Sequence, residues 1–524
     1  MNDSDSSAQN GLTRRELLGL LGAGALAALL PAGLPGQAHA ANNADFDTAK
    51  GPGLIFVVGD GMPAGVVRAM HEVRTGVFGR ANTALHARLR DPRSALGLMA
   101  TASLSSIVTD SAPASAAWST GVHTANRHLA ALPDGRPLTT IFELVRKRGV
   151  ATGLVTTTRV THATPAAWIS HQTNRDLEDD IASEILAFRP EVLLGGGFRH
   201  FSAAKRKDGR DLLAEFQRSG CDTVTDRAGL LAATAAAKPL VGLFSASHLA
   251  YNLDRLNDPA LSAQPTLPEM TAQALRRLAK NPNGFLLQVE AGRIDHACHS
   301  NDAWSSIMDT VELDDTLAVI DSFLAVNPKT LVIVTSDHGN SGWGINGTGS
   351  SYNDATAALR SYRAGKASFE AIIRRLKGKN AQQTQDILTE STGFAIGLDE
   401  AEMVLAAMEP GYGGFTGDYV YQPDATIGLL LARNAKAKDG KAGLRRGNVG
   451  FTSTNHTAED QTLLAYGHRA RELNLARLLD NTELFDTMCA YFGLRHTNPR
   501  MAQDEAARLL LATRQDADPR LHIA

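Results

Sequence analysis

The sequence predicts an α/β fold: a large central, mostly parallel β-sheet flanked by helices on both faces, with a helical insertion. Two observations carry this expectation. Short, continuous apolar runs recur along the chain with helical patterns between them. Acidic and histidine residues stand just past several of those runs, where ligands sit in open α/β sheets, beyond the carboxyl ends of the strands.

Taken in order, the chain opens on a leader rather than on folded structure. Thr13-Arg14-Arg15-Glu16-Leu17-Leu18 precedes an Ala/Gly/Leu-rich run, and Ala38-His39-Ala40 is a small-x-small cleavage pattern. Residues 1–40 therefore read as a twin-arginine export signal, and the mature chain, 41–524, as one catalytic domain in the periplasm or secreted. Expected strands are Leu54–Val58, Gly153–Thr157, Val192–Leu194, Leu240–Phe244, Phe285–Val289, Leu331–Val334 and Thr462–Ala465, each too short for a buried helix and free of charge. Thr139–Arg148 and Met270–Leu278 carry helical periodicity between them. The rhythm breaks over 341–447, read as an insertion that leaves after Asp337-His338 and returns before Phe451. Within it Ala357–Leu376, Thr384–Glu390 and Glu400–Met408 read as helices and Pro410–Tyr421 as a Gly/Tyr-rich loop. Its roots lie beside the ligand-rich segments, which suits a lid or an interface. The tail from Thr497 is charged and poorly patterned.

Composition bounds the function. With 524 residues, 43% hydrophobic and 20% charged, the chain can bury a large core. A formal net charge of −3 offers no basic face, which disfavours a nucleic-acid reader. No segment after the leader is apolar enough to span a bilayer. Three cysteines, Cys221, Cys298 and Cys489, do not make a disulfide framework.

The densest chemistry lies between residues 284 and 340. Glu290 ends one apolar run and is followed by Asp295, His296 and His299; Asp337 and His338 follow another. Asp295 and His299, at i,i+4, share one helix face, so Cys298 reads as a small residue turned away. Carboxylates and imidazoles in two such contexts can hold several metals, without saying what the metals do.

Further segments complete the pattern: Gly59-Asp60-Gly61-Met62, Thr109-Asp110-Ser111-Ala112, His162-Ala163-Thr164-Pro165, Asn174-Arg175-Asp176, Leu193-Leu194-Gly195-Gly196-Gly197 and His456-Thr457. In this order, from about residue 53 to 470, the chain resembles the alkaline phosphatases. The resemblance implies two Zn²⁺, one held by Asp295, His299 and His456 and the other by Asp60, Asp337 and His338. It implies one Mg²⁺ on Asp60, Thr164 and Glu290. The donor chemistry agrees, since imidazole and carboxylate suit zinc and an all-oxygen set suits magnesium.

By the same resemblance Ser111 is the nucleophile. Taken alone, a Ser at a helix start is more often a cap. Arg175 would grip two oxygens of a phosphate dianion with its planar fork. His162 and His296 stand where the best-studied enterobacterial members carry Asp and Lys, and look like the animal enzymes. They are expected to meet phosphate through water or to tune the magnesium site, not to ligate directly. Pro113 in the first helical turn is tolerated because its missing N–H has no partner there. His171, His200 and His468 read as structural. The implied reaction is hydrolysis of small phosphate monoesters to an alcohol and inorganic phosphate through a phosphoserine, by a homodimer. A phosphodiesterase or another hydrolase of that superfamily is the alternative, and Ser111 with Arg175 speaks against it.

Overall fold

The computed structural model describes residues 46–234, 238–347, 352, 355–409, 423–434 and 448–513. The expected leader and the Pro410–Tyr421 loop lie outside the described residues.

Ten strands form one sheet: β1 (Gly53–Gly59), β2 (Ala95–Ala100), β3 (Ala151–Arg159), β4 (Val192–Gly196), β5 (Asp222–Val224), β6 (Leu240–Leu243), β7 (Phe285–Ala291), β8 (Thr330–Thr335), β9 (Gln461–Gly467) and β10 (Leu478–Asp480). Their order is β10-β2-β9-β8-β1-β7-β3-β4-β6-β5, with β9 antiparallel to both neighbours and every other pairing parallel. The fold class expected from the sequence is the one found.

Burial on both faces explains the uninterrupted apolar strands. Along β1, Ile55 and Val57 enter one hydrophobic core, while Leu54, Phe56 and Val58 enter the other. β2 differs: Ala95, Gly97 and Met99 are buried, whereas Leu96 and Leu98 face outward. With half its side chains exposed it lacks the continuous apolar signature, and the sequence reading missed it. The three-residue strands β5 and β10 are too short to show a period at all.

Six helices matter for the site: α1 (Ala64–Glu72), α2 (Ser111–Thr120), α3 (Ala163–Ala166), α4 (Leu267–Leu278), α5 (Arg293–His299) and α6 (Ala303–Val326). α4 begins at a capping box in which Thr266 and Glu269 satisfy each other's backbone N–H. Trp118 of α2 and Trp168, just past α3, both pack on Phe56 of β1, at 5.1 and 5.3 Å between ring centroids. Fully burying such side chains contributes roughly 1.5–3 kcal/mol each, which ties both helices to the central strand.

The excursion after β8 is zipped at its roots. Gly339–Asn340 pairs antiparallel with His456–Thr457, and Gly344–Ile345 with Val449–Gly450. The single helix expected over Ala357–Leu376 is in fact two, Ala355–Ser361 and Phe369–Leu376. Gly365 lies between them, and the Ser368 hydroxyl caps the second helix by accepting the Ala371 N–H at 3.1 Å. Helices Ala381–Thr392, Leu398–Ala407 and Pro423–Asn434 follow, the last of them not expected. Gln503–Thr513 gives the tail a helix. Among the described residues no helix is long and apolar enough to cross a membrane.

Candidate active site

Register decides where the site forms. Val58 of β1 lies level with Glu290 of β7 and Thr335 of β8, and Thr156 of β3 lies level with Glu290. The carboxyl ends of three adjacent strands, β8, β1 and β7, therefore deliver Asp60, Glu290, Asp337 and His338 to one place, beside α3 with Thr164. Gly61 permits the approach. Its φ is +54°, and a Cβ there would stand 2.2 Å from Asp295 Oδ1.

Three groups of side chains converge closely enough to hold a metal ion: Asp295, His299 and His456; Asp60, Asp337 and His338; and Asp60, His162 and Glu290. In the first, His299 Nε2 lies 3.0 Å from His456 Nε2 and 3.3 Å from Asp295 Oδ2. In the second, His338 Nε2 lies 3.1 Å from Asp337 Oδ2 and 3.7 Å from Asp60 Oδ1. Thr164 Oγ1 donates to Asp60 Oδ2 at 3.4 Å, beside the third group.

The imidazoles are set for ligation. Nδ1 of His299, His456 and His338 faces the carbonyl oxygens of Thr454, Thr109 and Gly339 at 2.5, 2.9 and 3.2 Å. A carbonyl only accepts, so each Nδ1 carries the proton and each Nε2 lone pair turns inward. The carboxylates agree: Asp60 Oδ1, Asp337 Oδ2 and Glu290 Oε1 are buried with no hydrogen-bond partner. Unpaired buried anions are costly, and divalent cations would satisfy them.

The electrostatics record the same crowding. Burial first, then Asp337, Asp295 and Glu290, pushes the Asp60 carboxyl well above its ordinary range. Burial pushes Glu290 up to about 7 against the hydroxyl of Thr156. Burial also raises Asp295 and Asp337, but His299 and His338 beside them outweigh it and hold both below the ordinary range.

Ser111 is the first residue of α2, and Asp110 is its cap, accepting the Ala112 N–H at 2.7 Å. The Ser111 Oγ lies 3.1 Å from His338 Nε2. Pro113 sits in the first turn as expected, and Ser115 ties the helix to α3 by donating to the Thr164 carbonyl at 2.7 Å. Arg175 donates to Asp110 Oδ1 at 3.3 Å and to His162 Nε2 at 2.9 Å. Ser111, Arg175, His162, His296, Asp295, His299 and His456 all line one cavity of about 180 Å³.

His162 comes closer than expected. One of its ring nitrogens lies within 4.8 Å of carboxylate oxygens of Asp60 and Glu290, while its Nε2 accepts from Arg175. His296 joins none of these groups among the described residues; its ring lies 5.5 Å from that of His162, and it lines the cavity. Cys221, Cys298 and Cys489 are buried and form no disulfide, and none joins a ligand group among the described residues. His171, His200 and His468 make ordinary polar contacts away from the ligands, with Glu143, Asp179 and Tyr491.

The sequence reading missed several supports. Asn340 donates to Asp295 Oδ1 at 2.6 Å, and the Thr158 hydroxyl donates to Glu290 Oε2 at 3.2 Å. Arg127 lines the cavity mouth with φ +74°, its backbone N–H on Asp110 Oδ2. The His248 ring lies 4.4 Å from that of His296 and 5.5 Å from that of His162. Asn340 had a signal in its place two residues past His338. His248 had none.

Comparison with known proteins agrees with this geometry. The family model described as alkaline phosphatase matches residues 52–494. Alkaline phosphatase 4 of Bacillus subtilis is 29% identical, over 85% of this chain and 90% of its own length. Alkaline phosphatase 3 of the same organism is 30% identical, over 72% and 75%. The crystal structure of Thermus thermophilus alkaline phosphatase superposes with a TM-score of 0.81 at 37% identity, covering 92% of this chain and all of that one. A cold-active alkaline phosphatase from Shewanella gives a TM-score of 0.66 at 27% identity, over 84% of this chain and 99% of its own. Sheet order, convergent ligands and a family match across most of the chain lead to one assignment: the chain is a member of the alkaline phosphatase family.

Proposed function

We propose that the chain hydrolyses phosphate monoesters through a covalent phosphoserine on Ser111. The observation that carries the reading is the 3.1 Å approach of Ser111 Oγ to His338, at the edge of three buried carboxylates that each keep one oxygen without a hydrogen-bond partner. Asp295, His299 and His456 would hold one zinc, and Asp60, Asp337 and His338 a second. Asp60, Glu290 and Thr164, with His162 alongside, would hold a magnesium. Bound there, the ions supply Lewis-acid charge to the entering and leaving oxygens of an in-line displacement.

The chain's own groups bind and orient. Arg175, braced by Asp110 and His162, presents its fork to two phosphate oxygens. The start of α2 adds its dipole to the binding of an anion. Ser111 Oγ attacks phosphorus as the alcohol oxygen departs on the far side. Water then attacks the phosphoserine along the same line, which releases phosphate and restores the hydroxyl. A monoester carries the free oxygens that Arg175 needs, and a diester has one fewer. The Arg14-Arg15 leader supports export of the folded, metal-loaded chain by the twin-arginine route, and the family resemblance supports a homodimer.

Rates on p-nitrophenyl phosphate and bis-p-nitrophenyl phosphate test the substrate class, and a faster diester would sink it. Ser111→Ala is expected to lower kcat by roughly 10³-fold or more with the fold retained, and chelation to abolish turnover. Full activity in either case contradicts the mechanism.

A further inference from the structure

We infer that the segment after β8 takes part in catalysis at one remove, with Glu370 as a positioning residue that acts through Arg293 on His296. Glu370 is the second residue of the helix Phe369–Leu376, far in sequence from the site. Its Oε2 accepts from Arg293 Nη2, and Arg293 Nη1 donates to His296 Nδ1 at 2.9 Å. The Arg293 guanidinium also lies over the Tyr251 ring, 3.9 Å from its centroid.

This chain has a chemical consequence. A guanidinium has only donors, so the Nδ1 that faces it must carry a lone pair. The proton of the neutral ring is then on Nε2, and His296 lines the cavity that also holds Ser111 and Arg175. Arg293 thereby sets both the ring's orientation and which nitrogen can donate to a phosphate oxygen or its water. Arg293 is 4% exposed, and a buried cation held by one carboxylate loses its place when that carboxylate goes.

The helix that carries Glu370 is itself fixed by the core. Asp254 accepts the Ser368 N–H at 2.7 Å and the Ser368 hydroxyl at 2.6 Å, and Asp302 accepts the Phe369 N–H at 2.9 Å. Those anchors do not involve Glu370, whose side chain is 44% exposed. Removing it should therefore release Arg293 without displacing the helix.

The inference rests on the phosphatase reading, and the experiment separates the two. Glu370→Ala is expected to lower kcat/KM for p-nitrophenyl phosphate and to weaken inhibition by inorganic phosphate, each by about 10-fold. Glu370→Gln, whose amide oxygen still accepts from Arg293, is expected to recover part of that loss. His296→Ala is expected to lower kcat/KM itself, and Glu370→Ala added to it to cost little more. Arg374→Ala removes the other partner of Glu370, at 3.1 Å, and should leave kinetics as in the wild type. Without turnover, ¹⁵N spectra of histidine-labelled, metal-free protein at mildly alkaline pH should show His296 as one Nε2–H tautomer, averaging between tautomers in Glu370→Ala. The His296 signals are assigned by their absence in His296→Ala. Glu370→Ala within twofold of wild type, an equal loss in the His296→Ala background, or a silent His296→Ala overturns the inference. So does an equal loss in Arg374→Ala or an unchanged His296 spectrum. A wild-type protein inert toward monoesters would instead sink the phosphatase reading, while the spectra still test the link.

Discussion

Asp295 faces two imidazoles and is steadied from behind by Asn340, whose Nδ2 donates to Oδ1 at 2.6 Å and to the Asp295 carbonyl at 3.2 Å. A ligand held this way loses little freedom when an ion arrives, which is why such supports tune metal affinity. Asn340→Ala is therefore expected to weaken metal retention by about 10–100-fold, measured by titrating bound metal against a competing chelator. Retention equal to wild type would show that Asp295 needs no brace. The imidazoles have no comparable handle. Their Nδ1 partners are main-chain carbonyls of Thr109, Thr454 and Gly339, so their tautomers are set by backbone course and not by any replaceable side chain.

At the level of elements, α2 joins stability to chemistry at its first turn. Asp110 caps the helix, accepts from Arg175 and accepts the Arg127 N–H. Asp110→Ala should cost about 1 kcal/mol from the cap alone, a fall in Tm of about 1 °C in a chain of this size. Asp110→Asn should keep most of it, because Asn caps about as well. Thermal melts of the two variants decide the matter. If both fall equally, the charge on Asp110 and not the cap carries the stability. Ser115, which bonds α2 to α3, and Trp118 and Trp168, which both pack on Phe56, fix α2 and α3 together on β1. The helix Phe369–Leu376 is joined to the same body by Asp254 and Asp302, so the segment that looked like a detour is built into the site's surroundings.

Across the whole molecule, the carboxyl edge of the sheet gathers more negative charge than a metal-free protein tolerates well. Glu290, pushed up to about 7, and Asp60, pushed well above its ordinary range, have folded pKa values above their unfolded ones. Such groups favour the fold while protonated, and that contribution is lost as pH rises through the folded pKa. His162, His248, His296 and His456, which burial holds below their ordinary range, act in the opposite direction only below about pH 6.5, where the unfolded chain takes up protons. The metal-free protein should therefore lose stability as pH rises from about 6.5 through the Glu290 value of about 7, while bound metals, which compete with those protons, preserve it. The gap in Tm between metal-loaded and metal-free protein should widen across that window, and a constant gap would contradict this account. How much of this was legible beforehand follows from the kind of signal each part leaves. The β1, β3, β7 and β8 runs are apolar because both faces are buried, and Asp60, Glu290, Asp337 and His338 follow them in sequence, so the core strands, the ligand types and the family could be read from the chain. β2, exposed along one face, left no such signal. Nor could one dimension tell that His162 reaches Asp60, that His248 packs against His296, or that Glu370 holds Arg293. These contacts join residues 102, 48 and 77 positions apart in the chain, and strand register and helix docking set them. By itself the sequence determined which strands are buried and which atoms can bind metal; only the tertiary structure decided which of those atoms meet, because meeting depends on register and packing between elements distant in the chain.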